Sequence, residues 1–257
     1  MRSVMFSPYS TKVDEMNQIG DLVDAISRLA SEHDGSPLLV AICGAADLGK
    51  THLSVQLVSA LVEKGANASH LTLDSYLMER SKRNALGISG YQPEAYDLPG
   101  IRSDLTRFLQ GDPIEYFPYD HAEGKNLPSK MTINPWHILF LDGLHSMHES
   151  LRSHIHYSIF VHATDDLLLK IRHKADIDKR NQSVEFSNLN LRNELKIFKL
   201  NVEPYLKSAN VVCEVKEQWQ YELWIPTEQT STCSRTNKPL RALLTADARR
   251  YVFNLNF

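Results

Sequence analysis

Gly44-Ala45-Ala46-Asp47-Leu48-Gly49-Lys50-Thr51 fits G-x-x-x-x-G-K-[ST] at every fixed position. The two glycines permit a tight turn that aims successive backbone N–H groups at a β-phosphate. A helix opening near Thr51 adds the positive end of its dipole. Lys50 would reach the β- and γ-oxygens, and the Thr51 hydroxyl would ligate Mg²⁺. The implied cofactors are ATP (or GTP) and Mg²⁺. Ile138-Leu139-Phe140-Leu141 is an apolar run ending on Asp142-Gly143, the arrangement in which an acid orients Mg²⁺ directly or through water. Leu71-Thr72-Leu73-Asp74 is a second such run, followed by Ser75-Tyr76. In an open parallel sheet ligands sit outside the carboxyl ends of the strands, so Asp74 would share a crevice with Lys50 and Asp142. A carboxylate there can take the proton of an attacking hydroxyl. Each feature has a structural alternative: a glycine turn, an Asp-Gly strand end, an aspartate helix cap. What favours chemistry is context, because the loop follows an apolar run and precedes a helical pattern.

The elements that must carry these residues follow from apolar spacing. Residues 11–32 show a helical period through Val13, Met16, Ile19, Val23, Ile26 and Leu29, and 34–37 break it. Residues 37–43 are almost wholly apolar, as suits a strand buried on both faces. The runs 71–74, 138–142, 158–162 and 210–215 share that character. Helical patterns over 51–64, 100–109, 165–171 and 190–200 lie between them, so strand alternates with helix and a helix-covered parallel sheet is expected. Beyond Lys216, Trp219, Tyr221 and Leu223 alternate with polar residues, as do Tyr251, Phe253, Leu255 and Phe257; these read as an antiparallel addition around a polar stretch at 227–237. The expected organisation is an amphipathic helix and linker over 1–36, a nucleotide-binding core over 37–216 and a β extension packed on it over 217–257.

Taken together, the ordered motifs resemble the uridine kinase/phosphoribulokinase family of P-loop kinases. They are the phosphate loop, Asp74-Ser75-Tyr76, Gly90-Tyr91-Gln92-Pro93-Glu94-Ala95-Tyr96-Asp97, Gly111 and Pro118-Tyr119-Asp120. Asp142-Gly143, Ile159-Phe160-Val161, Arg172 with Asp176 and Arg180, Glu203-Pro204 and Ala209-Asn210-Val211-Val212 continue the series. The resemblance implies an α/β P-loop NTPase fold with a five-stranded parallel sheet, Mg²⁺-ATP use, Asp74 as base and a mobile lid near Arg172 and Arg180. It also implies an acceptor side formed by Tyr76, Tyr91, Gln92, Tyr119 and His121 with Asp74 and Arg172. The implied activity is transfer of a γ-phosphate to a small hydroxyl acceptor, a nucleoside first. Three positions depart from the nucleoside kinases. Tyr91-Gln92-Pro93 lacks the acid that holds ribose hydroxyls, and a neutral amide bonds less strongly. Ala175 stands where the lid carries a second Arg, with Lys174 available only as a point charge. Asp142 replaces a Glu. The segment Pro93 to Asp97 is also similar to pantothenate and glycerate kinases, so such metabolites or a sugar phosphate are alternative acceptors, and a nucleotide-binding regulatory protein is a third reading.

Composition narrows the field. The 257 residues carry a formal charge of −3 and 42% hydrophobic content, enough for one α/β core. Near-neutral charge gives no case for nucleic acid. No apolar run nears the ~18 residues of a membrane span, and nothing near Met1 reads as a signal peptide. Cys43, Cys213 and Cys233 are scattered, which argues against a disulfide framework. A reduced, cytoplasmic, soluble chain is expected, with self-association left open. The histidines His145, His148, His154, His156 and His162 are expected on solvated or helix-surface positions rather than on a metal, and Glu79 to Arg83 on an exposed face or a segment covering the acceptor. No guanine-selective Asn-Lys-x-Asp stretch supports a GTPase acting on a protein partner.

Overall fold

The computed structural model describes residues 11–33, 35–135, 138–178, 180, 182–217, 220–224 and 251–254. One sheet organises them, built from β1 (Leu38–Gly44), β2 (Ala68–Thr72), β3 (Ile138–Asp142), β4 (Tyr157–His162), β5 (Val211–Val215), β6 (Gln220–Trp224) and β7 (Tyr251–Asn254). The spatial order is β7-β6-β5-β4-β1-β3-β2. The first five strands in sequence are mutually parallel, and β6 and β7 add antiparallel at the β5 edge. The helices are α1 (Thr11–Ser31), α2 (Lys50–Glu63), α3 (Arg80–Leu86), α4 (Leu98–Leu109), α5 (Asp165–Asp178) and α6 (Val184–Asn201). This is the α/β P-loop NTPase architecture: a five-stranded parallel sheet flanked by helices, with a small antiparallel addition.

Every residue of β1 and of β3 is buried, which is why both read as unbroken apolar runs. The period-2 alternation of strands divides the core between the two faces. Ile138 and Phe140 join Leu22, Val23, Ile26 and Leu29 of α1 and Leu53, Leu57 and Leu61 of α2. Leu139 and Leu141 join Ile101, Leu105 and Phe108 of α4. Capping matches the helix starts: Asp97 accepts the Gly100 N–H at 3.0 Å, and Ser183 accepts the Phe186 N–H at 3.1 Å.

Several boundaries differ from the sequence reading. The second strand covers Ala68–Thr72, and Leu73–Tyr76 is a 3₁₀ turn instead of a strand end. Thr72 causes the break, its hydroxyl accepting the Asp74 N–H at 3.4 Å and capping the turn. Helix α5 continues to Asp178, and α6 opens at Val184 behind its Ser183 cap. Short antiparallel pairs at Ile114–Tyr116 with Met131–Ile133, and at Tyr119–Asp120 with Lys125–Asn126, carry no sequence signal long enough to read.

The histidines overturn their expected setting. None of the five is exposed, and His145 is fully buried. His145 donates Nε2–H to the Tyr91 carbonyl and accepts from the Tyr205 hydroxyl, both at 3.2 Å. His154 bonds Thr106 at 2.8 Å, and His156 Nδ1 accepts the Leu39 N–H at 2.9 Å. Protein groups take up ring nitrogens of His145, His154 and His156, which is what lets such rings be buried, whereas His162 Nδ1 is buried without a hydrogen-bond partner. Among the described residues no group of three His, Cys, Asp or Glu could hold a metal ion. Burial and neighbouring His148 hold His145 down to about 4; burial, His33 and His154 hold His156 down to about 4. Cys43 and Cys213 are buried free thiols. No described helix is long and apolar enough to cross a membrane. Trp219, Cys233, Leu255, Phe257 and the 227–237 stretch lie outside the described residues.

Candidate active site

Three parallel strands set the site by ending in register. Ile42 of β1 and Thr72 of β2 both pair with Asp142 of β3, so the loops after all three open at one edge. The loop after β1 turns sharply, with Asp47 at φ 63° and Gly49 at φ 79°, and delivers the chain to α2 at Lys50. Gly44 has a different reason to be glycine: a Cβ there would stand 2.0 Å from the Val161 carbonyl oxygen of β4. Lys50 is nearly buried, and its Nζ donates to the Ala45 carbonyl at 2.7 Å. Tyr221 of the antiparallel addition donates its hydroxyl to the Leu48 carbonyl at 3.3 Å, bracing the loop from behind.

Asp142 is 1% exposed yet fully engaged. Thr51 and Thr72 hydroxyls donate to Oδ1, each at 3.2 Å, and His70 Nε2 meets Oδ2. Two hydroxyls and a carboxylate form the hard oxygen set that Mg²⁺ prefers, so the residues fit that ion. Sequence reasoning misses His70 and Thr72; the one signal they carry is the i, i+2 spacing that puts both on one face of β2.

Asp74 stands in the 3₁₀ turn just past β2, and His121 Nε2 lies 3.1 Å from its Oδ2. His121 packs edge-on against Tyr119, at 5.3 Å between ring centroids. The Tyr119 hydroxyl and the Ser75 hydroxyl are buried without a hydrogen-bonding partner. A cavity of about 540 Å³ adjoins this turn, with Ser75, Tyr76, Lys82, Tyr96 and Asn126 among its walls. That volume suits a small metabolite. Arg80 of α3 bonds the carbonyls of His121 and Ala122, tying the charged segment Glu79 to Arg83 to the hairpin beside Asp74.

Three expected acceptor residues have other partners. The Tyr76 hydroxyl donates to Asp104 of α4 at 2.7 Å. The Gln92 side-chain oxygen accepts the Ser89 N–H at 2.8 Å. Tyr91 is buried edge-on against Phe198. Burial pushes its phenol up to about 12, against the lowering effect of nearby Arg172.

The arginines after β4 converge on the same loop. Arg172 Nη1 lies 3.2 Å from Asp47 Oδ2, and Nη2 lies 3.1 Å from Glu194 of α6. Arg180 Nη2 reaches both Asp47 oxygens, at 3.1 and 3.0 Å. Asp176 pairs with both arginines, at 3.2 and 3.3 Å. Lys174 is exposed and Ala175 buried, so the second cation of this cluster is Arg180.

The strand–loop–helix geometry and the parallel order define a P-loop nucleotide-binding protein. The chain belongs to the phosphoribulokinase/uridine kinase family, whose model matches residues 39–220. Members of that family are kinases, phosphotransferases acting on hydroxyl groups. The uridine kinase of Leuconostoc citreum (strain KM20) is 28% identical over 181 residues, covering 68% of this chain and 86% of that one. Among solved structures, phosphoribulokinase from Rhodobacter spheroides superposes with a TM-score of 0.58 at 13% identity, covering 82% of this chain and 95% of that one. D-glycerate 3-kinase from Cryptococcus neoformans var. grubii gives 0.59 at 12% identity, covering 77% and 95%. At these identities the structures speak to fold.

Proposed function

We propose that the protein is an ATP-dependent kinase that phosphorylates a hydroxyl of a small molecule, with a nucleoside as the first acceptor to test. The observation that carries this reading is the common edge of β1, β3 and β2, with Lys50 and Thr51, then Asp142, then Asp74 following those strands in turn. Lys50 and the backbone amides of residues 45–49 would bind the nucleotide phosphates, and Thr51 with Asp142 would hold Mg²⁺. Bound Mg²⁺-ATP supplies the transferable phosphoryl group. Asp74 accepts the acceptor hydroxyl's proton, and His121, 3.1 Å away, orients the carboxylate. Arg172 and Arg180 neutralise charge on the phosphoryl oxygens.

The nucleoside assignment draws on the relatives named uridine kinase. The Gln92 oxygen, occupied by Ser89, favours a second reading in which the acceptor is another hydroxyl metabolite such as a glycerate, pantothenate or sugar phosphate. ADP release measured across nucleosides and these metabolites, with Lys50→Ala as blank, tests both. Uridine-dependent turnover supports the first, turnover with another member the second. ATP binding without acceptor-dependent ADP release on any member refutes the kinase reading in favour of a nucleotide-binding regulatory protein. A cytoplasmic location belongs to the same proposal.

A further inference from the structure

Asp47 is an unexpected residue for its position. It lies within a loop whose work is to hold polyanions, and it adopts a left-handed backbone that most side chains avoid. Aspartate tolerates that conformation better than most, but a strained loop residue invites a functional explanation. Its carboxylate is 9% exposed and receives both arginines at once: one bond from Arg172 and two from Arg180. The arginines come from α5 and the turn after it, more than a hundred residues along the chain. Asp176 and Glu194 complete a cluster of three carboxylates around two guanidinium groups. Arg172 Nε lies 3.2 Å from Asp176 but without hydrogen-bond alignment, leaving that N–H unpartnered. The loop meant for phosphates is thus already bridged to the cations that neutralise them.

We propose that Asp47 is a positioning residue that docks Arg172 and Arg180 over the phosphate loop, and that nucleotide phosphates compete with it for these arginines. The inference rests on the nucleotide-binding reading given above. A carboxylate presents two oxygens to the guanidinium fork in the same way that a phosphate does, so one can replace the other without moving the arginines far. Two consequences follow. Before nucleotide arrives, the α5–α6 segment is tethered to the loop through a side chain. When it arrives, the negative charge of Asp47 opposes it in proportion to phosphate number.

Two variants test this without loading the backbone: Asp47→Asn is isosteric and tolerates left-handed φ, and Asp47→Gly removes the side chain where glycine is at ease. Hydrogen–deuterium exchange of residues 165–200 is measured first in nucleotide-free protein. Loss of the tether is expected to raise exchange in that segment while α2 and α4 stay unchanged. Mg²⁺-ATP, Mg²⁺-ADP and adenosine binding is then measured by calorimetry. The variants are expected to bind Mg²⁺-ATP roughly tenfold more tightly, the equivalent of one charge-assisted contact, with a smaller gain for ADP and none for adenosine. Unchanged exchange in the nucleotide-free variants, or unchanged or weaker ATP binding by them, overturns the proposal. Wild-type protein that binds no nucleotide refutes the nucleotide-binding reading instead, and the nucleotide-free exchange comparison still decides whether Asp47 docks the arginines.

Discussion

Gly44→Ala separates the folding role of the phosphate loop's first glycine from any role toward nucleotide. Gly44 closes β1 opposite Val161 of β4, and its φ of 135° lies where side chains are rarely found. An added Cβ would stand 2.0 Å from the Val161 oxygen and 2.9 Å from its carbonyl carbon. Ordinary contact needs more than 3 Å, so the strand ends must part by about 1 Å or the loop must rotate. The contacted atoms are backbone of Val161, in the buried stretch of β4 from Tyr157 to Val161, with no flexible side chain able to yield. Overpacking contributes about 1–3 kcal/mol and the backbone conformation about 1–3 kcal/mol, so the expected loss is roughly 2–6 kcal/mol. In a protein of this size that lowers the melting temperature by on the order of 10 °C. Calorimetric melting of the nucleotide-free protein reads it, because no ligand enters the argument. A variant that melts with the wild type refutes the close approach of β1 to β4.

Asp74→Asn is expected to lower kcat by about 10²–10⁴-fold with nucleotide affinity unchanged, measured by ADP release and calorimetry; full activity removes Asp74 as base. Thr72→Val deletes one of the hydroxyls donating to Asp142, and the Mg²⁺ concentration for half-maximal activity is expected to rise by about 3–10-fold; a Mg²⁺ titration that does not shift excludes that role. His145 and His156 are held neutral in the fold at about 4, while the unfolded chain takes up their protons near 6.5, so stability is whole above that value and falls as the pH drops toward 4. From pH 7 to 5 the loss is at most about 2 kcal/mol per ring, read by urea titration at both values; equal stability at the two contradicts buried neutral rings.

The nucleotide half of the candidate site is legible in sequence because it is local. Gly44 to Thr51 is contiguous, and β1 and β3 are buried on both faces, so their apolar runs end on the residues that matter. The acceptor half is assembled from short pieces. Asp74 follows a turn that Thr72 starts by bonding its amide, which the apolar run from Leu71 to Leu73 concealed. The two hairpins that bring Tyr119 and His121 toward Asp74 have strands of two or three residues, too short to show a period. The buried histidines failed for another reason: surface and core imidazoles look alike until the groups that satisfy their nitrogens are known, and the Tyr91 carbonyl and Leu39 amide are far away in sequence.

The same distinction explains why Asp142 and Asp47 differ in what they reveal. Strand register sets Thr72 opposite Asp142 and His70 two residues before it, so once the parallel order β1-β3-β2 is accepted both follow, while Thr51 reaches Asp142 from the start of α2. Asp47 gathers Arg172 and Arg180 through the packing of α5 and α6 over the loop, and no register rule connects those positions. A carboxylate in a phosphate loop would be a defect if it faced the nucleotide alone. Paired with two guanidinium groups its charge is offset, and the attraction of the loop for a polyanion is left to Lys50 and the backbone N–H groups. On the proposed reading the strand ends would set where phosphoryl transfer occurs, while the arginine–aspartate contacts would govern how readily a nucleotide gains those cations.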